Sequence, residues 1–314
     1  MKQELISIVV PCYNEEEAIP LFYKEIEKVK EQLSAEIEYL FVNDGSSDNT
    51  LEVLRELSES EKGRVRYISL SRNFGKESAL YAGLEHAKGD YITVMDVDLQ
   101  DPPRLLPEMF RLIKEEQYDC IGTRRVDRKG EPLIRSFFAR QFYRMINRIS
   151  ETEIVEGARD YRLMTRQMVN AILEVTEYNR FSKGIFSWVG FNTKYLNFEN
   201  QERVTGETTW SFWSLLKYSL DGIIAFSEVP LAIASFVGML SFMVSLLMAL
   251  FIAGRTIIFD NPTSGWTSLI VIILGLAGLQ LLCLGIIGKY LGKMFLETKR
   301  RPIYIVKEME ENKD

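Results

Sequence analysis

Two long apolar stretches constrain this chain more than any other feature: residues 230–253 and 267–288 carry hardly a charge. A helix needs about 20 predominantly apolar residues to cross a bilayer, and both stretches reach that length. A buried core hairpin would share the composition, but length and lack of charge favour two membrane spans. The connecting residues 254–266 hold one basic side chain, Arg255, whereas Lys289, Lys293, Lys299, Arg300, Arg301 and Lys307 follow the second stretch. Basic residues concentrate on the cytoplasmic side, so the expectation is a two-span protein of the cell membrane with both termini cytoplasmic. Gly275, Gly278, Gly285 and Gly288 offer small surfaces for helix contact within a chain or between copies, which leaves a homo-oligomer open.

Upstream of about residue 228 the chain reads as a mixed, globular sequence. Strand-like apolar runs at 5–10, 37–42, 65–70, 91–95 and 118–122 alternate with helix-like stretches at 15–33, 48–60, 76–87 and 103–115. That alternation predicts an α/β domain whose parallel sheet is covered on both faces. Ligands in such sheets bind at the carboxyl ends of the strands. The expected organisation is an α/β core at 1–133, an acceptor-side region at 134–228, the spans at 229–291 and a cytoplasmic tail at 292–314. Within 134–149, Phe138, Phe142, Met145 and Ile149 share one helical face and Arg140, Arg144 and Arg148 the other. Two readings stand: an interfacial helix on the membrane, or a surface helix on the sheet. Residues 210–226, with Trp210, Trp213 and Tyr218, form a second candidate of this kind.

The net charge of −6 argues against a nucleic-acid partner, since such proteins carry a basic excess. Three cysteines and one histidine are too few for a disulfide framework, a zinc site or a histidine cluster. The start of the chain reads as a short strand and not a signal peptide, so a cytoplasmic catalytic portion is expected.

Three acid-bearing segments lie at predicted strand ends. Pro11-Cys12-Tyr13-Asn14-Glu15 follows the first strand, Asn43-Asp44-Gly45-Ser46-Ser47-Asp48 the second, and Asp96-Val97-Asp98-Leu99-Gln100-Asp101-Pro102-Pro103 the fourth. Each alone reads equally as a strand stop, a turn or a helix cap. Together they converge on one edge of one sheet. On an extended segment Asp96 and Asp98 point the same way and reach one hard cation, and Gln100 continues the alternation. Mg²⁺ takes one or two carboxylates plus substrate phosphates, which suits this set.

The order VPCYNEEE, VNDGSSDNT, SRNFGKESAL and MDVDLQDPP resembles the family 2 inverting glycosyltransferases with the A-type (Rossmann-like) fold. GARDYRLMTR at 157–166, the segment 202–218, the paired spans and RRPIYIV at 300–306 extend the resemblance to the polyprenyl-phosphate subgroup, which includes dolichyl-phosphate mannose synthase and bactoprenol glucosyltransferases. It implies a nucleotide-sugar donor, a UDP-sugar by analogy, and a polyprenyl-phosphate acceptor such as undecaprenyl phosphate. It further implies that Pro11, Tyr13, Glu15 and Ser46 line the nucleotide pocket and that Asp44 meets the base. Asp96, Asp98 and Gln100 would hold Mg²⁺ or Mn²⁺, with Asp98 and Asp160 at the catalytic centre. Arg203 lies in a loop that closes over phosphates, and Arg140 and Arg144 face the acceptor. Arg72 and Lys76 read either as phosphate contacts or as solvated charges.

Three other readings fit the sequence less well. A polysaccharide synthase carries a Gln-x-x-Arg-Trp motif that Gln201-Glu202-Arg203 and the separate Trp210 do not match. A nicotinamide oxidoreductase needs Gly-x-Gly-x-x-Gly after the first strand, where Pro11-Cys12-Tyr13-Asn14 stands. A silent membrane scaffold would have no reason to retain Asp96, Asp98 and Gln100.

Overall fold

The computed structural model describes residues 4–126, 147–148, 155–198, 224, 227–259 and 265–310. The interfacial-helix segments therefore lie outside the described residues apart from Asn147, Arg148 and Ile224, as do Arg140, Arg144 and Arg203.

The first half alternates strand and helix: β1 Leu5–Cys12, α1 Ala18–Lys30, β2 Glu36–Asn43, α2 Thr50–Ser60, β3 Val65–Leu70, α3 Lys76–His86 and β4 Tyr91–Val94. A 3₁₀ turn at Pro103–Leu105 leads into α4 Leu106–Glu116 and β5 Cys120–Arg125. Then come β6 Ala158–Thr165, α5 Arg166–Glu174, α6 Ser182–Trp188 and β7 Thr193–Phe198. The chain ends with α7 Val229–Phe259, α8 Trp266–Thr298 and β8 Val306–Met309.

Among the described residues eight strands join one sheet in the order β7-β5-β6-β4-β1-β2-β3-β8. Successive side chains of a strand alternate between faces, and the two cores follow that rule. Ile6, Ile8 and Val10 pack with Phe22 and Ile26 of α1, Leu54 of α2 and Met109 of α4. Val9, Leu40 and Val42 pack on the opposite face with Ala79–Leu84 of α3 and Met168 and Ile172 of α5. Each fully buried Ile or Phe in these layers contributes about 1.5–3 kcal/mol.

The expectation of a purely parallel sheet is corrected at two places. β1, β2, β3 and β4 are parallel, but β6 inserts antiparallel between β4 and β5. β8 adds antiparallel to β3. The second exception places part of the segment 292–314 in the sheet. The chain leaves α8, turns at Arg300 with φ +46°, and pairs Val306–Met309 with β3 of its own sheet. Glu308 fixes this strap by accepting from Arg55 Nε and Nη2 at 2.9 and 2.5 Å and from the Tyr67 hydroxyl at 2.7 Å.

Helices α7 and α8 are long and apolar enough to cross a membrane, and their described apolar side chains are largely exposed, Phe236, Leu247 and Leu281 among them. They pack on each other, with the Tyr290 hydroxyl donating to the Ser227 carbonyl at 2.7 Å.

Candidate active site

The carboxyl ends of β1, β2 and β4 place all three acid-bearing segments on one edge. The first two are stitched together through their backbones. Asn14 N donates to Ser46 Oγ at 2.9 Å, Ser47 N to Asn14 Oδ1 at 2.8 Å, and Glu15 N to Thr50 Oγ1 at 2.9 Å. Pro11 is the penultimate residue of β1, opposite Val42, and Tyr13 projects with 47% of its surface exposed. Pro11, Tyr13, Glu15 and Ser46 thus share one rim.

Asp44 has a structural part beside the one expected of it. It is buried, and its carboxylate accepts from Phe74 N at 2.7 Å and Gly75 N at 2.9 Å. Burial raises its pKa, opposed by those two N–H donors and by Arg72. The side chain read as a base contact thus also sets the loop that starts α3. Arg72 lies on that loop, donating to the Asn73 carbonyl and stacking 4.0 Å over the Phe74 ring.

The α3 helix lies close on the sheet because it is built from small residues there. A Cβ on Gly83 would meet Val9 Cγ1 at 2.2 Å. That close seat delivers Lys76, the first residue of α3, to the acids. Its ammonium lies 2.7 and 2.9 Å from the two oxygens of Asp96 and 2.7 Å from Asp160 Oδ2. Burial would lower the Lys76 pKa, but Asp160 and Asp96 raise it well above the ordinary value. For Asp160 burial pulls upward, and Lys76, Lys183 and Arg162 outweigh it and hold the carboxyl well below the usual range. Lys76 is therefore no free surface charge.

β4 ends at Val94, so Asp98 sits in a turn and not on the extended run first expected. The alternation of exposure nonetheless continues, with Asp96, Asp98 and Gln100 half-buried and Val97, Leu99 and Asp101 buried. Leu99 takes φ +55° to achieve this. Asp98 Oδ1 accepts from Gln100 N at 3.1 Å. Gln100 Oε1 accepts from Arg159 Nη2 at 3.3 Å, and Arg159 Nε donates to the buried Asp101 at 2.9 Å. Among the described residues no group of three His, Cys, Asp or Glu side chains forms a ready cage for a metal. Two carboxylates and an amide oxygen on one rim fit Mg²⁺ or Mn²⁺, provided phosphate oxygens of a ligand complete the shell.

Sequence reasoning missed Arg159, Asp101 as its buried partner, and Glu77. The last accepts from Ser182 N at 3.0 Å and from its hydroxyl, tying α6 to the start of α3. Asp101 stood in the third segment, and its place in an apolar alternation was the available signal.

The model of glycosyl transferase family 2 matches residues 7–173. Curated relatives match nearly end to end. A putative glycosyltransferase, CsbB, of Bacillus subtilis is 42% identical over 98% of this chain and 93% of its own.

The chain belongs to glycosyl transferase family 2.

Two further relatives of this glycosyltransferase are named for one activity. The prophage bactoprenol glucosyl transferase homolog of Escherichia coli and the bactoprenol glucosyl transferase of Shigella phage SfX are each 42% identical over 96% of this chain and 98% of theirs. A solved mannosyl-3-phosphoglycerate synthase of Rubrobacter xylanophilus is 17% identical, covers 70% of this chain and 72% of its own, and superposes with a TM-score of 0.48. This glycosyltransferase has the A-type, Rossmann-like sheet of its family, followed by two helices suited to a membrane.

Proposed function

We propose that this enzyme transfers a sugar from a nucleotide-sugar, a UDP-sugar, to a polyprenyl phosphate such as undecaprenyl phosphate, with inversion and with Mg²⁺ or Mn²⁺. The observation that carries the acceptor is the strap. The sheet bearing Asp96 is closed at its far edge by β8, only a short turn after the apolar helix α8. A polyprenyl tail stays in the bilayer, so a catalytic domain tied to a spanning helix meets its phosphate at the surface. The relatives that match across both helices are named for bactoprenol and for glucose, which makes glucose the first donor sugar to try.

Pro11, Tyr13, Glu15 and Ser46 are proposed to line the nucleotide, with Asp44 shaping the pocket through the Phe74–Gly75 loop. Asp96, Asp98 and Gln100 would hold the metal, which neutralises charge building on the departing diphosphate. Lys76 supplies positive charge beside it, while Arg72 is turned to Asn73 and Phe74 on the neighbouring loop. A phosphate monoester is mostly dianionic at neutral pH because its second pKa is about 6, so attack needs little help from a base. Asp160, held ionised by Lys76, then steadies the cation-like anomeric centre or orients the acceptor. Arg140, Arg144 and Arg203 complete the acceptor side in this reading, with both termini in the cytoplasm.

The test is transfer of radiolabel from a panel of nucleotide-sugars into the organic phase. It uses the full chain in detergent with undecaprenyl phosphate and either metal, and Asp98→Asn as control. Metal-dependent transfer from one donor, lost in the variant, is the expected result. Nucleotide release with a different acceptor and no lipid product would remove the polyprenyl assignment.

A further inference from the structure

We propose that Lys76 and the divalent cation compete for Asp96, so that one ammonium is shared between a metal ligand and the acid at the reacting centre. The inference rests on the metal assignment above and adds a residue that works against loading. Lys76 Nζ reaches both oxygens of Asp96, at 2.7 and 2.9 Å, and so uses the lone pairs that a hard cation would take. It also holds Asp160 at 2.7 Å, so losing Asp96 leaves it with a partner.

The backbone around Lys76 is fixed, which confines the exchange to its side chain. Gly75 at φ +97° is pinned by Asp44, and Glu77 is pinned by Ser182. The Lys76 side chain itself is 44% exposed on a flexible stem, free to turn toward an incoming phosphate. The neighbouring guanidinium leaves the Asp96 oxygens to Lys76, because Arg159 donates to Asp101 and Gln100. Two cations cannot share the Asp96 carboxylate at these distances without strong mutual repulsion. Metal entry therefore detaches Lys76 from Asp96, and the freed ammonium stays on Asp160 while it meets the donor's phosphates. Loading of the metal site and the environment of Asp160 become one linked event.

The experiment is a Mn²⁺ titration of the full chain in detergent without donor, following free Mn²⁺ by electron paramagnetic resonance. Lys76→Met is expected to bind Mn²⁺ about tenfold tighter than the unmodified protein, equal to about 1.4 kcal/mol. Lys76→Arg, which keeps the charge, is expected to stay within about threefold of the unmodified protein. Arg72→Gln serves as the control for general charge, since its guanidinium is turned to Asn73 and Phe74. Equal or weaker binding by Lys76→Met, or an equal gain in Arg72→Gln, would overturn the competition. A second readout needs no variant of Lys76 in the test sample: the ¹⁵N resonance of its ammonium should shift on adding Mg²⁺, and no shift overturns the proposal. Failure of the metal reading looks different, because then neither the unmodified protein nor any variant binds Mn²⁺, and both ideas fall together.

Discussion

Lys76 and Asp160 stand 84 positions apart in the chain and 2.7 Å apart in space. The pairing depends on the antiparallel insertion of β6 beside β4, with Val94 opposite Arg162, which brings Asp160 past the end of the strand that leads to Asp96. The paired carboxyl is held well below the usual range, so the part proposed for it is electrostatic and positional.

Asp160→Asn should therefore lower turnover about a hundredfold, in the range for loss of one preorganised electrostatic contact. Donor affinity should change by no more than about threefold, because the role proposed for the group is at the reacting centre and not in donor binding. Steady-state kinetics beside a calorimetric titration with the nucleotide separates the two. Equal losses in both would place Asp160 in donor binding.

The pair of half-buried Arg159 and buried Asp101 makes a pH-dependent prediction. Burial and the nearby Asp96 raise the Asp101 pKa to about 6 against the pull of Arg159. Arg159→Met leaves the charged acid unpartnered and should cost about 3 kcal/mol at pH 8. A raised folded-state pKa means that the fold prefers the protonated acid. The penalty is thus present above that pKa and is relieved as pH falls through it. Thermal unfolding at pH 8 and pH 5 should show the deficit shrinking in acid, and Asp101→Asn in the same chain should recover much of it.

Gly45 carries φ +65°, and a Cβ there would meet Arg72 C at 2.4 Å and Asn73 N at 2.6 Å. Both obstacles are backbone, so the clash has no flexible relief. Gly45→Ala should cost about 3 kcal/mol, combining left-handed strain with a forced shift of the Arg72–Gly75 loop. The same shift would disturb the Asp44 contacts. Weakened nucleotide binding beside a lowered unfolding temperature is the expected pair of results.

The strap should loosen without unfolding the sheet when Glu308 is neutralised. Hydrogen bonds from Arg55 and Tyr67 hold the Glu308 pKa at about 2, below its ordinary value of 4.5. A depressed pKa contributes stability above pH 4.5 that is lost as pH falls toward 2. Glu308→Gln should raise amide exchange in β8 about fivefold at neutral pH, as suits a partly exposed ion pair. The gap from the unmodified protein should narrow in acid. Exchange spreading equally through β1 and β2 would contradict a local role for the strap.

Much of this protein was legible in its residues. The apolar runs at β1 and β2 read as strands buried on both faces, because a half-exposed strand would alternate. The positions of Pro11, Asp44 and Asp96 at strand ends followed from the same reading, since a parallel sheet brings its carboxyl ends to one edge. The two apolar helices were written in length and charge alone. What sequence could not supply was long-range pairing. Nothing local to Val306–Met309 says that it returns to β3, and nothing near Lys76 names Asp160 as its partner. Ion pairs and antiparallel insertions between distant segments depend on where the sheet places each backbone, and short-range periodicity carries no record of that. For the same reason Asp44 was readable as a polar site residue, but its commitment to the Phe74 and Gly75 amides was decided only when α3 docked on the sheet.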